Sequence, residues 1–344
     1  MSRHRTTPAR TQKEYTPLVE RFGHRSCDGG LSAFMARVME DSAHYDNSKL
    51  RFETNKGSDG AHVVQVDATL ATRKAQISAA DMATLRSRLP SELSARCPDQ
   101  MINQFLRATD SNVSQAEKRL RETLQWREAE NVESIRCLAC TRDPRSHYMH
   151  PVGSDRWGRP VIYSCLALAA NRSVEDNRLH MVATFEQAIK LMKPPVEQWV
   201  WVSDFHGFGF GDLNPQIANT FLELSAKHYP ERLGAFMVVG APFIFNGLWS
   251  VLQPLVDSVT RRKIHMLSYD VQKGSALNQT FADFFEPELA TWLLTEVEQN
   301  RSKTLAAGKA YPYGKLFDSC ARTTVQGHDL RGTSEMLKAM KLQQ

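Results

Sequence analysis

The stretch HYPERLGAFMVVGAPFIFNGLWSVLQPLVDSVTRRKIHML, His228 to Leu267, decides the fold class. A Tyr229-Pro230 turn leads into Glu231 and Arg232, and Ala235 to Val239 is an apolar run short enough to be a central strand. Gly240 and Pro242 break it before the next element. From Phe243 to Val259 the large apolar residues Phe245, Leu248, Trp249, Leu252, Leu255, Val256 and Val259 recur at spacings of three and four, with few charges to mark a solvent face. The spacing predicts one helix covered on more than one side. It is either buried in the core of a large domain or lines a cavity and moves. Three consecutive bases, Arg261, Arg262 and Lys263, close the stretch.

Outward from this segment, strands and helices alternate. Pro160 to Cys165 reads as a strand, and Asn177 to Met192 as a helix with Val182, Phe185, Ile189 and Met192 on one face. Gln198 to Phe205 is a second strand. Asn214 caps a helix with Pro215 in its first turn and Ile217, Phe221 and Leu224 facing inward. After the helix from Phe243, a strand from Ile264 to Tyr269 completes the series. The alternation predicts an α/β fold with a mainly parallel sheet. One face of the sheet, covered only by the Phe243 helix, is the expected ligand site. Trp199 and Trp201 share a face by strand alternation and belong either to that pocket or to the core.

Before the strands comes a helical region. Ser78 can cap a helix carrying Met82, Leu85 and Leu89 that Pro90 stops. Met101, Ile102, Phe105 and Leu106 mark another helix. A third, from Ser114, sets Ala116, Leu120, Thr123, Leu124 and Arg127 on related faces, with Glu117 and Glu122 opposite. A small all-α lobe is expected. Residues 1 to 75 are less legible, with turns at Asn55-Lys56-Gly57 and Ser58-Asp59-Gly60 and a short helix at Leu31 to Val38.

With 344 residues, 42% of them hydrophobic, the chain can bury one main core with helical attachments. No run approaches the ~20 apolar residues that cross a bilayer. The opening MSRHRTTPARTQK contains no apolar core of a signal peptide, so a cytoplasmic location is expected. Net charge is +5, and residues 301 to 344 hold eight Lys or Arg against three acids, which leaves the rest neutral overall. Such a tail is either an ordinary solvated one or draws the protein to anionic lipid, at about 1 kcal/mol per base near the surface.

Catalytic signals are weak. Cys137-x-x-Cys140 followed by His147-x-x-His150 offers four metal ligands, but the step from Cys140 to His147 is shorter than in a usual zinc finger. Free thiols and no metal are the expectation. Gly207-Phe208-Gly209-Phe210-Gly211-Asp212 follows a strand, yet Asp212 stands where a dinucleotide fingerprint needs its glycine, and an acid there would repel pyrophosphate. No Gly-x-Ser-x-Gly elbow occurs, and the histidines form no triad pattern. No enzyme, cofactor or nucleic-acid function is expected.

The motifs Tyr229-Pro230-Glu231-Arg232-Leu233-Gly234, Asp257-x-x-Thr260-x-x-Lys263-Ile264 and Asp155-Arg156-Trp157-Gly158-Arg159-Pro160-Val161 resemble those of the CRAL-TRIO family of lipid-binding and phosphatidylinositol-transfer proteins. Phe105-Leu106-Arg107-Ala108 and Leu124-Gln125-Trp126-Arg127 are similar to the helical segment that precedes the lipid domain in that family. The resemblance spans about residues 76 to 285. It implies a lipid pocket closed by a gate helix, with an extension at 1–75, a helical lobe at 76–145, the lipid domain at 146–285 and a helix with a basic tail at 286–344. It places Glu231, Gly234, Asp257, Thr260 and Lys263 at the lipid head group. Trp199, Trp201, Phe243, Phe245, Leu248, Trp249, Leu252, Leu255 and Val256 would line the pocket or gate.

Two departures stand out. Phosphatidylinositol-binding relatives carry an Arg-Lys pair where this chain has Thr109 and Asp110, and phosphatidylcholine-binding relatives place Ser and Thr where it has Trp199 and Trp201. The resemblance implies that the chain holds one lipid, phosphatidylinositol first, and exchanges or presents it at a membrane surface visited transiently. A sterol, tocopherol or retinoid-type ligand, or a lipid-sensing scaffold, is the alternative; no protein partner is implied.

Overall fold

The computed structural model describes residues 77–301, apart from 144, 210, 211, 213, 254, 255 and 257. The expectations for residues 1 to 75 and for the basic tail lie outside the described residues, as do Leu255 and Asp257.

The chain begins with the helical lobe. α1 (Ala79–Arg88), α2 (Ser91–Ala95), α3 (Asp99–Arg107) and α4 (Val113–Ala129) bury Leu85, Ile102, Phe105, Leu106, Ala116 and Leu120 in one core. Ser78 Oγ accepts the Asp81 amide at the start of α1, and Asn112 Oδ1 accepts that of Gln115 at the start of α4. Asp110 and Ser111 take positive φ between α3 and α4, at 49° and 63°. A short helix, α5 (Leu138–Arg142), then leads into the sheet.

Strands β1 (Met149–Ser154) and β2 (Pro160–Cys165) form an antiparallel hairpin. Asp155 builds its turn: the carboxylate accepts the amides of Trp157 and Arg159 at 3.0 and 2.8 Å and the Arg159 Nε at 2.6 Å. Next come α6 (Val174–Leu191), β3 (Trp199–Asp204), α7 (Pro215–Lys227), β4 (Leu233–Val239), α8 (Phe243–Leu252), α9 (Ser258–Arg262) and β5 (Ile264–Leu267). Two helices, α10 (Ala276–Phe284) and α11 (Pro287–Asn300), end the described chain. The sheet runs β1-β2-β3-β4-β5, parallel from β2 onward. Among the described residues no helix is long and apolar enough to cross a membrane.

The connectivity fixes which helix covers which face. Three successive crossovers step the same way across the sheet, and right-handed crossovers then put α6, α7 and α8 on one side. Ile162, Trp199 and Trp201 meet Phe185 and Leu224 there, while Val238 and Ile264 meet Ile244, Phe245 and Trp249. The other face carries Val161, Tyr163, Val200, Val202, Ala235 and Met237 and must be closed by later chain. Phe281, Phe284 and Phe285 from around α10, with Leu289 and Leu293 of α11, close it.

The structure corrects two expectations. The ligand face is not covered by the Phe243 helix alone, because the crossovers bring α6 and α7 to the same side. Nor is Phe243 to Val259 one helix: α8 ends at Leu252 and α9 begins at Ser258. Pro254 lies in this gap, and its ring supplies no amide proton to carry the helical hydrogen bonding onward.

Candidate functional site

The covered face has two unlike halves. Under α6 and α7, Trp199 is stacked on Phe185 with ring centroids 4.7 Å apart, and Trp201 meets Phe221 and Phe236 edge-on or tilted at 5.0 and 5.3 Å. Trp201 Nε1 donates to Ser164 Oγ at 2.8 Å, which lies 3.0 Å from Ser203 Oγ. Both indoles are therefore core, the option their alternation left open. Under α8 a second cluster of Phe205, Phe208, Val238, Ile244, Phe245, Trp249, Val256 and Ile264 fills the space over β4 and β5, meeting the first at Phe236, with Phe205 and Phe245 4.5 Å apart. Phe243, at the start of α8, is 57% exposed. Leu248 and Leu252 also lie on this helix.

The head-group candidates gather at the opposite end of the strands. Glu231 occupies the turn before β4 with φ 59°, and its carbonyl accepts Gln198 Nε2 at 3.3 Å. Lys263 stands between α9 and β5, is buried, and donates from Nζ to the Leu233 carbonyl at 2.7 Å. Its amide donates to the Thr260 carbonyl at 3.0 Å. Arg261 and Arg262 are exposed. Glu231, Gly234, Thr260 and Lys263 thus come together around the first residues of β4 and β5.

Gly234 is the extra residue of a bulge: Trp199 pairs with Leu233 and Val200 with Ala235. A Cβ there would sit 2.9 Å from Arg159 Nη1 and 3.1 Å from the Trp199 carbonyl oxygen. The side chain can yield and the backbone cannot. Gly234→Ala is therefore expected to cost about 1–3 kcal/mol in urea unfolding. A loss below a few tenths would mean that the bulge relaxes freely.

Two polar networks escaped the sequence reading. One joins lobe to sheet domain: Arg127 donates to both oxygens of Glu186 at 2.7 and 2.9 Å, and Tyr229 Oη donates to Glu186 Oε1 at 2.8 Å. Burial, then the Glu186 charge and hydrogen bond, push the Tyr229 hydroxyl well above its usual range. Trp126 stacks on His228 with centroids 3.9 Å apart beside this network, and Arg119 Nη2 donates to the Ala226 carbonyl at 2.7 Å. The second closes the carboxyl end of the strands. Asn300 Nδ2 donates to Tyr163 Oη at 2.7 Å and Asp204 Oδ2 at 2.9 Å, and Arg301 brackets Asp204 at 3.1 and 3.2 Å. A cavity of about 210 Å³ lies there, lined by residues including Cys165, His206, Gly207 and Arg301. It is smaller than the ~300–1,000 Å³ of ordinary ligand pockets.

Apart from the lipid candidates, Cys137, Cys140, His147 and His180 bring their donor atoms within 4.8 Å of one another. The pair Cys137 and Cys140 was singled out from its spacing; His180 was not, because it comes from α6. The hydrogen bond from Cys140, together with His147 and His180, holds the Cys137 thiol below the usual thiol range against burial.

Residues 145–290 match the CRAL/TRIO domain family. The chain is 28% identical over 221 residues to the CRAL-TRIO domain-containing protein C3H8.02 of Schizosaccharomyces pombe, a match covering 60% of this chain and 50% of that protein. It is 24% identical over 185 residues to the phosphatidylinositol transfer protein CSR1 of Eremothecium gossypii, covering 49% and 42%. A crystal structure of Sfh5 aligns with 18% identity and a TM-score of 0.42 over 70% of this chain and 78% of that one. The matches span half or less of the length of these two curated relatives.

Proposed function

Since residues 145–290 are a CRAL/TRIO domain, we propose that the protein binds a single phospholipid, phosphatidylinositol first, between α8 and strands β4 and β5, and exchanges it at membrane surfaces without catalysing a reaction. One observation carries this reading. The buried residues under α8 form a different cluster from those under α6 and α7, the two meeting at Phe236 of β4, so α8 can lift while the stack of Trp199 on Phe185 stays covered by α6. Gly240, with φ 61°, lies before the helix, and the gap containing Pro254 lies after it. Exposed Phe243 gives its leading end an apolar contact for a bilayer.

Chain burial against water is large, at ~0.8 kcal/mol per CH₂, but a bilayer offers the same medium. Discrimination therefore belongs to the head group. Lys263 is an already desolvated ammonium beside Thr260 and Gly234, suited to a phosphate that reaches the start of β4. Similarity to the phosphatidylinositol transfer protein CSR1 of Eremothecium gossypii supports phosphatidylinositol over a sterol or tocopherol.

The test is lipid extraction from the purified full chain with identification by mass spectrometry, alongside transfer between vesicles. Phosphatidylinositol should be recovered and moved, and Lys263→Ala should slow its transfer about 10- to 100-fold, the equivalent of one charge-assisted hydrogen bond. Recovery of an uncharged lipid, with transfer indifferent to Lys263, would establish the alternative ligand class. No lipid and no transfer would end the proposal.

A further inference from the structure

We propose that Cys137, Cys140, His147 and His180 form a structural zinc site that staples the helical connector to the sheet. Two thiols and two imidazoles are the donor set that favours zinc over the oxygen-seeking cations. Cys137 and Cys140, three apart around the first turn of α5, point the same way. His147 arrives from the loop before β1 and His180 from α6. The Cys137 and Cys140 sulfurs lie 3.4 and 3.2 Å from His147 Nδ1, and Cys140 Sγ lies 3.6 Å from His180 Nδ1. Tetrahedral zinc, with bonds of about 2.3 Å to sulfur and 2.0–2.1 Å to nitrogen, sets its ligand atoms about 3.3–3.8 Å apart. Three of the six donor pairs, at 3.2–3.6 Å, already stand close to that spacing, and all four donors lie within 4.8 Å of one another.

The surroundings of His180 match a ligand. Its Nε2 lies 2.8 Å from the Met149 carbonyl oxygen, an acceptor only, so Nε2 carries the proton and Nδ1 turns its lone pair to the thiols. The His147 and His180 rings stack with centroids 4.4 Å apart, which holds both nitrogens toward the same point. His150, the fourth residue of the local sequence pattern, packs edge-on against Tyr148 and Tyr163 instead. Four protein donors, three buried and Cys137 half-buried, leave no open position for substrate, so the role is structural. The metal would join α5, the approach to β1 and α6.

The same two thiols could instead form a disulfide, and the test separates the two. Full-length protein purified under reducing conditions without chelator should contain about one zinc per chain by elemental analysis. Cobalt exchanged into it should show the absorption of a tetrahedral sulfur–nitrogen site, which a merely surface-bound ion would not. Chelation should lower Tm by about 5–10 °C. Cys137→Ser and His180→Ala should lose the metal, while His180→Cys, which restores a donor, should keep it. A metal-free protein that takes up no added zinc, a Cys137–Cys140 disulfide found by mass spectrometry, or full metal content in His180→Ala would each overturn the proposal. The wild-type cobalt spectrum decides the matter even where a variant fails to fold.

Discussion

Arg127→Ala is expected to destabilise the protein by about 3–5 kcal/mol, because it strands the buried Glu186 carboxylate with the Tyr229 hydroxyl. Against a typical total of ~5–15 kcal/mol, that is a large share. The side chains of Arg127 and Glu186 are only 13% and 8% exposed, so solvent screens the pair little. Arg127→Lys should recover only part of the loss, since an ammonium cannot reproduce the two-pronged contact. Replacing both partners, as Arg127→Met with Glu186→Leu, should be much milder than Arg127→Ala alone. Urea unfolding of the set gives the comparison. Additive losses in the double variant would show that the pair is not coupled. The network joins the lobe to the sheet domain, so Arg127→Ala should also raise proteolysis between α4 and α5.

Acid should destabilise the fold well above the carboxylate range. Burial holds His150 neutral, with its pKa well below the ordinary value of 6.5, and burial beside Lys227, Arg127 and Arg178 lowers that of His228 to about 3. His265 is lowered as well, by burial and then Arg159. Below pH 6.5 the unfolded chain takes up protons that the folded chain refuses. The stabilising contribution is thus complete above about pH 6.5 and is lost as pH falls toward the folded values. At pH 5 a fully buried neutral histidine contributes about 2 kcal/mol less than at neutral pH, and partly exposed His228 somewhat less. Unfolding of EDTA-treated protein at pH 7 and pH 5 excludes proton uptake linked to metal release. His228→Gln should flatten the dependence, and a pH-independent unfolding free energy across that range would refute the account.

The sheet was legible where apolar runs end on glycine or proline. Pro160 to Cys165 matches its predicted limits, and β3, β4 and β5 lie within two residues of theirs. β1 was missed because Met-His-Pro-Val-Gly-Ser is buried on both sides and shows no alternation. The α8–α9 break was written in Pro254, but the apolar spacing on either side concealed it. Coverage of the sheet by α6 and α7 followed from strand order and crossover hand, neither of which a periodicity reading supplies. Pairing across space was less accessible still: His180 lies 40 residues from Cys140, and Glu186 lies 59 from Arg127. No local pattern announces either partner. Lys263 could be singled out from its motif, yet only the fold puts its ammonium on the Leu233 carbonyl.

The length of α8 would limit the shape of the lipid proposed to lie beneath it. Ten residues at ~1.5 Å each span about 15 Å, half of the ~30 Å hydrocarbon core of a bilayer and thus the depth of one leaflet. A lipid lying along that strip could keep its tails as extended as its neighbours in the leaflet do. Its passage between membrane and protein would then ask for a sideways slide rather than a refolding of the tails, and their conformational entropy would change little along the way.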